Sequence, residues 1–444
     1  MNPILKVVLV TVVLYISLCA LVKHSLYTQT LLTFHHWVRL PLGDLTDLNA
    51  LGLAQDTRNI VVTTQDGVEL KGYHLLPAGE VAVHAAGYAL EGDDAALREA
   101  YFDDMLMEAE RVFVYFHGTA ATRAFNNRIP LIRRLASHFN AHVISIDYRG
   151  FGDSGGFPSE TGTALDSRAT VEWVRARLTP AQTRLDRHDL SPAAILTPIY
   201  IYGQSLGTGI AAELVANEPG LHLAGLILDA PFTELREAAL THPAGAPLRI
   251  IPWIRDDLFD SFMIKYDTLA LVPLLKHTHV MLLHGQADWK VLPSNSRKLF
   301  QAALGMEVTG ESLVKDTTLN GRAVRVESQD GLMSIVEIPG AGHDNVYTFP
   351  AWLSQLDNFI SKAEGTGKFS VVDLDHTKDA DRDVPQRHEA AAMERWSSWS
   401  YMFVEHLWTQ LRCLVYDSSS PDCTAVVVSG GTRSSSFYDE AYDL

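Results

Sequence analysis

Ser205 sits at the centre of Gly203-Gln204-Ser205-Leu206-Gly207, between an apolar run at 199–202 and a helical pattern over 206–215. A serine hydroxyl attacks well only when a base takes its proton and the backbone presents it to substrate. A tight turn from strand to helix does the presenting. The serine projects from strained backbone, and Gly203 and Gly207 let neighbouring elements approach without a Cβ clash. The helix start also brings backbone N–H groups near developing negative charge. The chemistry implied is acyl transfer through a serine ester.

For a serine on such a turn, the base is expected after the last strand of the sheet and the orienting carboxylate after the strand before it. His343, in Gly340-Ala341-Gly342-His343, follows the apolar run 334–338 and is the expected base. Among the 18 histidines it is the one with this chain order and a glycine-rich approach. Asp288 follows the run 280–283 and is the expected acid, with Asp344 and Asp267 as alternatives. Its work would be to hold the imidazole tautomer and stabilise the imidazolium. The oxyanion formed on attack needs two backbone donors, expected from Leu206 and from Thr119 in the loop after 112–116. His117 is expected to brace that loop.

A second serine competes, because Gly152-Asp153-Ser154-Gly155-Gly156 also matches G-x-S-x-G and spells a signature of trypsin-like proteases. Pro158 follows closely, no helix start is evident, and the many-stranded pattern of a barrel protease is absent. Ser154 is therefore read as a decoy.

These residues need a scaffold. Runs at 60–64 and 69–75, separated by Asp66-Gly67, predict an antiparallel hairpin. Apolar runs at 112–116, 142–146, 199–202, 226–228, 280–283 and 334–338 predict buried strands, with helices at 163–178, 206–215, 294–304 and 352–360. Alternation of strand and helix predicts an α/β fold with a mostly parallel wound sheet, and the serine turn followed in chain order by Asp and His makes the expected fold the α/β-hydrolase fold. The stretch 232–276 is too long for a connection and reads as a cap. Its Leu248, Ile250, Ile251, Trp253, Ile254, Phe259, Phe262 and Met263 are candidates to hold an acyl chain or simply to pack the cap. A second insertion covers 305–332, and the hydrolase domain as a whole is expected at 57–362.

Outside that domain, residues 4–22 are apolar except for Lys6 and would form a helix of about 28 Å, near the hydrocarbon thickness of a bilayer. A single transmembrane anchor with an interfacial segment is expected over 1–45, Tyr27 and Trp37 settling at the membrane surface. A cleavable signal peptide is disfavoured, because the run is long and no clear small-x-small site follows. A charged linker is expected at 363–392, an aromatic amphipathic helix at 393–416 that docks on a membrane or packs on its own domain, and a disordered tail at 417–444. The 36 Lys and Arg against 53 Asp and Glu give a formal charge of −17, a poor partner for nucleic acid. Cys19, Cys413 and Cys423 form no C-x-x-C pair, so no metal site and no disulfide-dependent core is expected.

Taken together, His117-Gly118-Thr119-Ala120-Ala121-Thr122-Arg123, the segment 147–154 (Asp-Tyr-Arg-Gly-Phe-Gly-Asp-Ser), the stretch 203–209 and Pro231-Phe232-Thr233 make the chain resemble the membrane-anchored monoacylglycerol and lysophosphatidylserine lipases of the α/β-hydrolase family. The resemblance covers about 57–360. It implies catalytic roles for Ser205, Asp288 and His343, a structural role for the loop containing Ser154, and a single-pass protein of the endoplasmic-reticulum membrane. Thr119 stands where relatives carry Asn, and Gln204 where they carry His. No N-x-Ser/Thr sequon is present.

The expected function is hydrolysis of a carboxylic ester of a lysophospholipid or monoacylglycerol through an acyl-Ser205 intermediate, with no cofactor. The partners expected are an amphiphilic lipid ester and a membrane. A protein acyl-thioesterase or peptidase on the same triad, and a non-catalytic membrane scaffold, are the alternatives. Acyl-peptide turnover without lysolipid turnover would favour the former, and failure to react with a serine-directed probe the latter.

Overall fold

A computed structural model of the chain describes residues 2–78, 95–185, 197–221, 223–241, 252–305, 314–316 and 323–365. The expected linker, aromatic helix and tail, and cap residues 242–251, lie outside the described residues.

Ten strands form one sheet in the order β1-β2-β4-β3-β5-β6-β7-β10-β9-β8. The chain enters through the antiparallel pair β1 (Thr57–Thr63) and β2 (Glu69–Leu75), with Thr63 opposite Glu69 across the predicted turn. Gly67 takes a φ of 80° there, a backbone region costly for residues with a Cβ. β3 (Val112–Phe116), β4 (His142–Ile146), β5 (Ile199–Gln204), β6 (Gly225–Asp229), β7 (His279–Gly285) and β10 (Met333–Ile338) then pair in parallel. Every residue of β3, β4, β5, β6 and β10 is buried, as continuous apolar runs covered on both faces require.

Alternate side chains of these strands enter two cores. On one face Val112, Val114 and Phe116 pack with residues of α5 (Glu160–Leu185), α6 (Leu206–Asn217) and α10 (Ser294–Leu304). On the other, Phe113 and Tyr115 pack with α4 (Arg128–His138) and α11 (Pro350–Ala363). Trp352, on α11, is fully buried, and its indole N–H donates to the Tyr202 hydroxyl at 3.1 Å. Burying side chains of this size stabilises the fold by about 1.5–3 kcal/mol each relative to leaving them exposed.

Several elements were not legible in the sequence. α3 (Ala95–Met107) has no counterpart among the expected elements, whereas α4 fills the helical stretch expected without bounds between 116 and 142, with Pro130 in its first turn, where its missing N–H costs nothing. Within the second insertion, β8 (Val314–Asp316) pairs with β9 (Val324–Glu327), which pairs antiparallel with β10 and extends the sheet edge. The cap contributes α7 (Leu235–Thr241), α8 (Pro252–Ser261) and the short α9 (Thr268–Leu271).

Among the described residues one helix, α1 (Pro3–His24), is long and apolar enough to cross a membrane, and 6% of its most apolar window is buried. Its end touches the cap: Cys19 and Val22 cluster with Leu258 and Phe262, and Lys23 pairs with Asp257 at 2.6 Å. The next helix, α2 (Leu26–Phe34), packs into the hydrolase body. The buried Gln29 amide donates to the Val22 and Ser261 carbonyls (3.0 and 3.2 Å) and accepts from the Met263 N–H at 2.8 Å. Phe34 is fully buried in the same core as β3, whereas Tyr27 and Trp37 remain exposed.

Candidate active site

Ser205 adopts φ 51° and ψ −116°, a conformation that a non-glycine residue holds only under constraint from its surroundings. Its N–H donates to the Asp229 carbonyl at 2.9 Å, fixing the turn to the end of β6. The two flanking glycines are required sterically. A Cβ on Gly203 would lie 2.4 Å from the Gly207 oxygen, and one on Gly207 would lie 2.0 Å from the Phe116 oxygen. The tight turn from β5 into α6 therefore depends on Gly203, and the close approach of α6 to β3 on Gly207.

His343 Nε2 lies 3.0 Å from Ser205 Oγ, and its Nδ1 lies 2.7 Å from Asp288 Oδ2. The other Asp288 oxygen accepts the N–H groups of Lys290 and Val291 at 2.9 and 3.0 Å. Burial by itself would push the Asp288 carboxyl up, but His284 and His343 hold it well below the ordinary carboxylate range. It is therefore an anion that accepts and does not donate. For His343, burial acts downward, yet the Asp288 hydrogen bond and the Asp344 charge outweigh it and the pKa is raised. The imidazolium formed on taking a proton is thus favoured.

The fully buried His284 was missed in the sequence. Its Nδ1 lies 2.6 Å from Ser296 Oγ, and its Nε2 lies 2.8 Å from the Val291 carbonyl and 3.3 Å from Asp288 Oδ2. It ties α10 to the acid-bearing loop. A histidine inside an apolar strand gave no signal beyond its position four residues before Asp288.

Of the alternative acids, Asp344 pairs with Lys290 and Asp267 caps α9 through the Ala270 N–H at 3.0 Å. Asp229, at the end of β6, is pushed up to about 7 by burial and accepts from the Tyr202 hydroxyl at 2.8 Å. None of the three hydrogen-bonds to the His343 ring. Ser154 is buried and structural: its hydroxyl donates to the Asp147 carbonyl at 2.7 Å and accepts the Lys71 N–H at 2.8 Å. Asp147 in turn accepts the Arg123 N–H and guanidinium at 2.7 and 2.6 Å. The segment 147–154 thus anchors the loop that carries Thr119.

The orientation of that loop follows from the buried side chain of Arg128. Its guanidinium donates to the Thr122, Gly118, Thr119 and Ala120 carbonyls at 2.7, 3.0, 3.2 and 2.8 Å. In a trans peptide the C=O and the following N–H point in opposite directions. Drawing the Gly118 oxygen onto Arg128 therefore turns the Thr119 N–H away from it. The next peptide obeys the same rule, since the Ala120 N–H donates to the Phe34 carbonyl at 3.0 Å. The Thr119 hydroxyl also binds the Thr33 and Phe34 carbonyls, at 2.8 and 2.7 Å. His117 is fully buried, with Nδ1 2.7 Å from the Gly118 oxygen and Nε2 3.3 Å from Asp147.

A cavity of about 410 Å³ opens over Ser205. Thr119, Leu206 and His343 line it, with apolar walls from α2 and the residues after it (Leu32, Val38, Leu40) and from the cap (Phe232, Leu235, Phe262). Of the cap residues expected to hold an acyl chain, Phe262 alone among the described side chains lines this cavity; Trp253 and Met263 are exposed, and Phe259 lies under the Arg236 guanidinium at 4.1 Å. Leu248, Ile250, Ile251 and the Ile254 side chain lie outside the described residues. The arrangement can deprotonate the serine, receive an acyl group and exclude water from one side of it.

Comparison with known proteins gives the same class. The model of the alpha/beta hydrolase family matches residues 112–356, more than half of the 444-residue chain. "Lysophosphatidylserine lipase ABHD12" of Danio rerio is 28% identical over 353 residues, covering 78% of this chain and 80% of the relative. The protein of that name from Mus musculus is 32% identical over 306 residues (67% and 69%), and the one from Xenopus tropicalis 33% over 301 residues (65% and 69%). A solved Pyrococcus furiosus esterase aligns with a TM-score of 0.47 at 16% identity, covering 73% of this chain and 96% of its own. With a strand-turn-helix serine at its sheet and a family model spanning its core strands, the chain belongs to the alpha/beta hydrolase family.

Proposed function

We propose that the protein is a membrane-anchored serine hydrolase that cleaves the carboxylic ester of a single-chain glycerolipid, a lysophospholipid or monoacylglycerol, with Ser205, His343 and Asp288 as its catalytic triad. The observation that carries the reading is the continuous Ser205–His343–Asp288 hydrogen-bond chain opening into an apolar-walled cavity. The relatives named lysophosphatidylserine lipases support the lipid class.

In this mechanism His343 Nε2 takes the Ser205 proton as Oγ attacks the ester carbonyl, and Asp288 stabilises the imidazolium. The carbonyl oxygen, now an oxyanion, accepts from the Leu206 and Thr119 N–H groups, each worth about 3 kcal/mol in the transition state. The C–O bond then breaks as His343 returns its proton to the departing alcohol. Water, deprotonated by His343, attacks the acyl-serine, and the Oγ–acyl bond breaks as His343 returns the proton to Ser205 and the fatty acid leaves.

The α1 helix is the proposed anchor, and the exit of its chain directly into the wall of the cavity supports a lipid substrate drawn from the same bilayer. The endoplasmic-reticulum membrane is the location we propose for it, on the resemblance alone; co-localisation with a resident marker tests it. For the activity, full-length protein in detergent is labelled with a fluorophosphonate probe and given a lipid ester panel. Labelling is expected in wild type and Ser154→Ala and absent in Ser205→Ala, with lysolipid or monoacylglycerol turnover in wild type. Labelling that survives Ser205→Ala would assign the wrong nucleophile, and labelled wild type that turns over no lipid ester would sink the substrate class.

A further inference from the structure

The loop that carries Thr119 is strained. Ala120 and Ala121 take φ values of 58° and 53°, a left-handed backbone that residues with a Cβ hold only where their surroundings compel it. Arg128 supplies one side of that constraint by gathering the carbonyls of Gly118, Thr119 and Ala120. The donors of the same stretch turn to a piece of chain distant in sequence. The Ala120 N–H donates to the Phe34 carbonyl and the Thr122 N–H to the Leu40 carbonyl, both at 3.0 Å. The Thr119 hydroxyl lies 2.8 and 2.7 Å from the Thr33 and Phe34 carbonyl oxygens, and the Thr122 hydroxyl donates to the Leu40 carbonyl at 3.0 Å.

Residues 33–40 therefore form a strap along the oxyanion loop. Phe34 seats it in the core, fully buried and edge-on to Phe151 and Tyr266 with ring centroids 6.3 Å away. His35 closes α2 at φ 48°, its N–H donating to the Leu31 carbonyl at 3.3 Å. Val38 and Leu40 line the cavity over Ser205. A single residue, Ser25, separates α2 from α1, so the strap is the continuation of the proposed anchor.

We propose that this connector is a working part of the active site: residues 33–40 hold the oxyanion loop in its left-handed shape, and the hydroxyls of Thr119 and Thr122 are the positioning groups that fasten loop to strap. This rests on the serine-hydrolase reading of the same site. Arg128 grips carbonyls only, which leaves the loop able to swing about that one contact. Bonds from its N–H and hydroxyl groups to a separately buried segment remove the remaining freedom. Without them Ala120 and Ala121 relax towards ordinary backbone, and the Thr119 N–H, directly before them, turns away from the oxyanion. The oxyanion donor is thus preorganised only while the strap is seated, and a displacement of the connector reaches the transition state without touching Ser205, His343 or Asp288.

The test uses full-length protein in nonionic micelles, a soluble chromogenic ester and a boronic acid that mimics the tetrahedral intermediate. Thr119→Val keeps the β-branch and the N–H but removes the hydroxyl, Thr119→Ser restores the hydroxyl, and Thr122→Val removes the fastener at the Leu40 end. Losing a whole oxyanion donor costs about a hundredfold or more in kcat, so a loosened one is expected to cost about tenfold. Thr119→Val should therefore lower kcat about tenfold with KM within about threefold, and weaken boronate binding by the same factor as kcat. Thr122→Val should lower kcat about threefold, and Thr119→Ser should stay within about twofold of wild type. In wild type the amides of Ala120 and Thr122 should exchange slowly with solvent, as donors to the strap. Valine variants with wild-type kcat and boronate affinity, a Thr119→Ser as slow as Thr119→Val, or a lowered Tm with kcat unchanged overturns the strap and leaves the hydrolase reading intact. Wild type that neither labels with fluorophosphonate nor cleaves the ester overturns both. Should the valine variants fail to fold, wild-type exchange decides, fast exchange at Ala120 and Thr122 overturning the strap.

Discussion

Replacing Arg128 by Lys isolates how much of catalysis depends on the aim of one peptide. The guanidinium spans the Thr122 carbonyl on one nitrogen and three carbonyls of the 118–120 stretch on the other. A single ammonium nitrogen keeps the charge but cannot bridge both sets. The Gly118 carbonyl then keeps His117 Nδ1 but loses the guanidinium, and the Thr119 N–H is aimed less firmly. A well-placed oxyanion donor is worth about 3 kcal/mol, so losing half of that alignment costs about 1.5 kcal/mol, or about tenfold in kcat. KM for a soluble chromogenic ester should stay within about threefold, because the donor acts in the transition state. Affinity for a boronic acid that mimics the tetrahedral intermediate should fall in step with kcat. Retained kcat and boronate affinity in a variant with a lowered Tm would show that Arg128 only supports the loop, and would refute the reasoning.

Other outcomes follow from the same geometry. The raised His343 pKa places the acidic limb of the kcat/KM profile above the ordinary histidine value of about 6.5. Asp344→Asn removes a charge that favours the imidazolium, so that limb should move to lower pH; a limb that stays put would remove Asp344 from the electrostatics. Asp288→Asn should fold yet lose about 10⁴-fold in kcat, since an amide cannot hold the imidazolium. Gly207→Ala forces a Cβ onto the Phe116 carbonyl and should unfold the protein or lower its Tm sharply, as read by thermal melting. Ser154→Ala should keep fluorophosphonate labelling while losing about 1–2 kcal/mol of stability in denaturant titration, because two hydrogen bonds at Asp147 and Lys71 disappear.

The strands, the turn and the chain order of Ser205, Asp288 and His343 could be read from the sequence because each rests on local physics. Apolar runs of five or six residues bounded by turn signals have the length of buried strands rather than of helices, and glycines flanking a serine mark where two backbones must nearly touch. Asp66-Gly67 likewise determined its own turn. What no local pattern contained is the meeting of distant residues. Ser205 and His343 stand 138 positions apart and come together because β5 and β10 lie in one sheet with β6 and β7 between them. Arg128 gave no signal, since its partners are backbone carbonyls that any residues could supply. α2 looked like an interfacial segment because its mixed composition suits either a membrane surface or a protein groove. The structure packs Gln29 against the cap and Phe34 against the core while leaving Tyr27 and Trp37 exposed. The polar side of the cavity arises in the same way: Asn127, Lys290 and Asp344 come from three loops that sheet order alone brings together. Periodicity and turn sterics act over a few residues and are written in the sequence, whereas convergence of side chains depends on strand order, which is decided by the whole core at once.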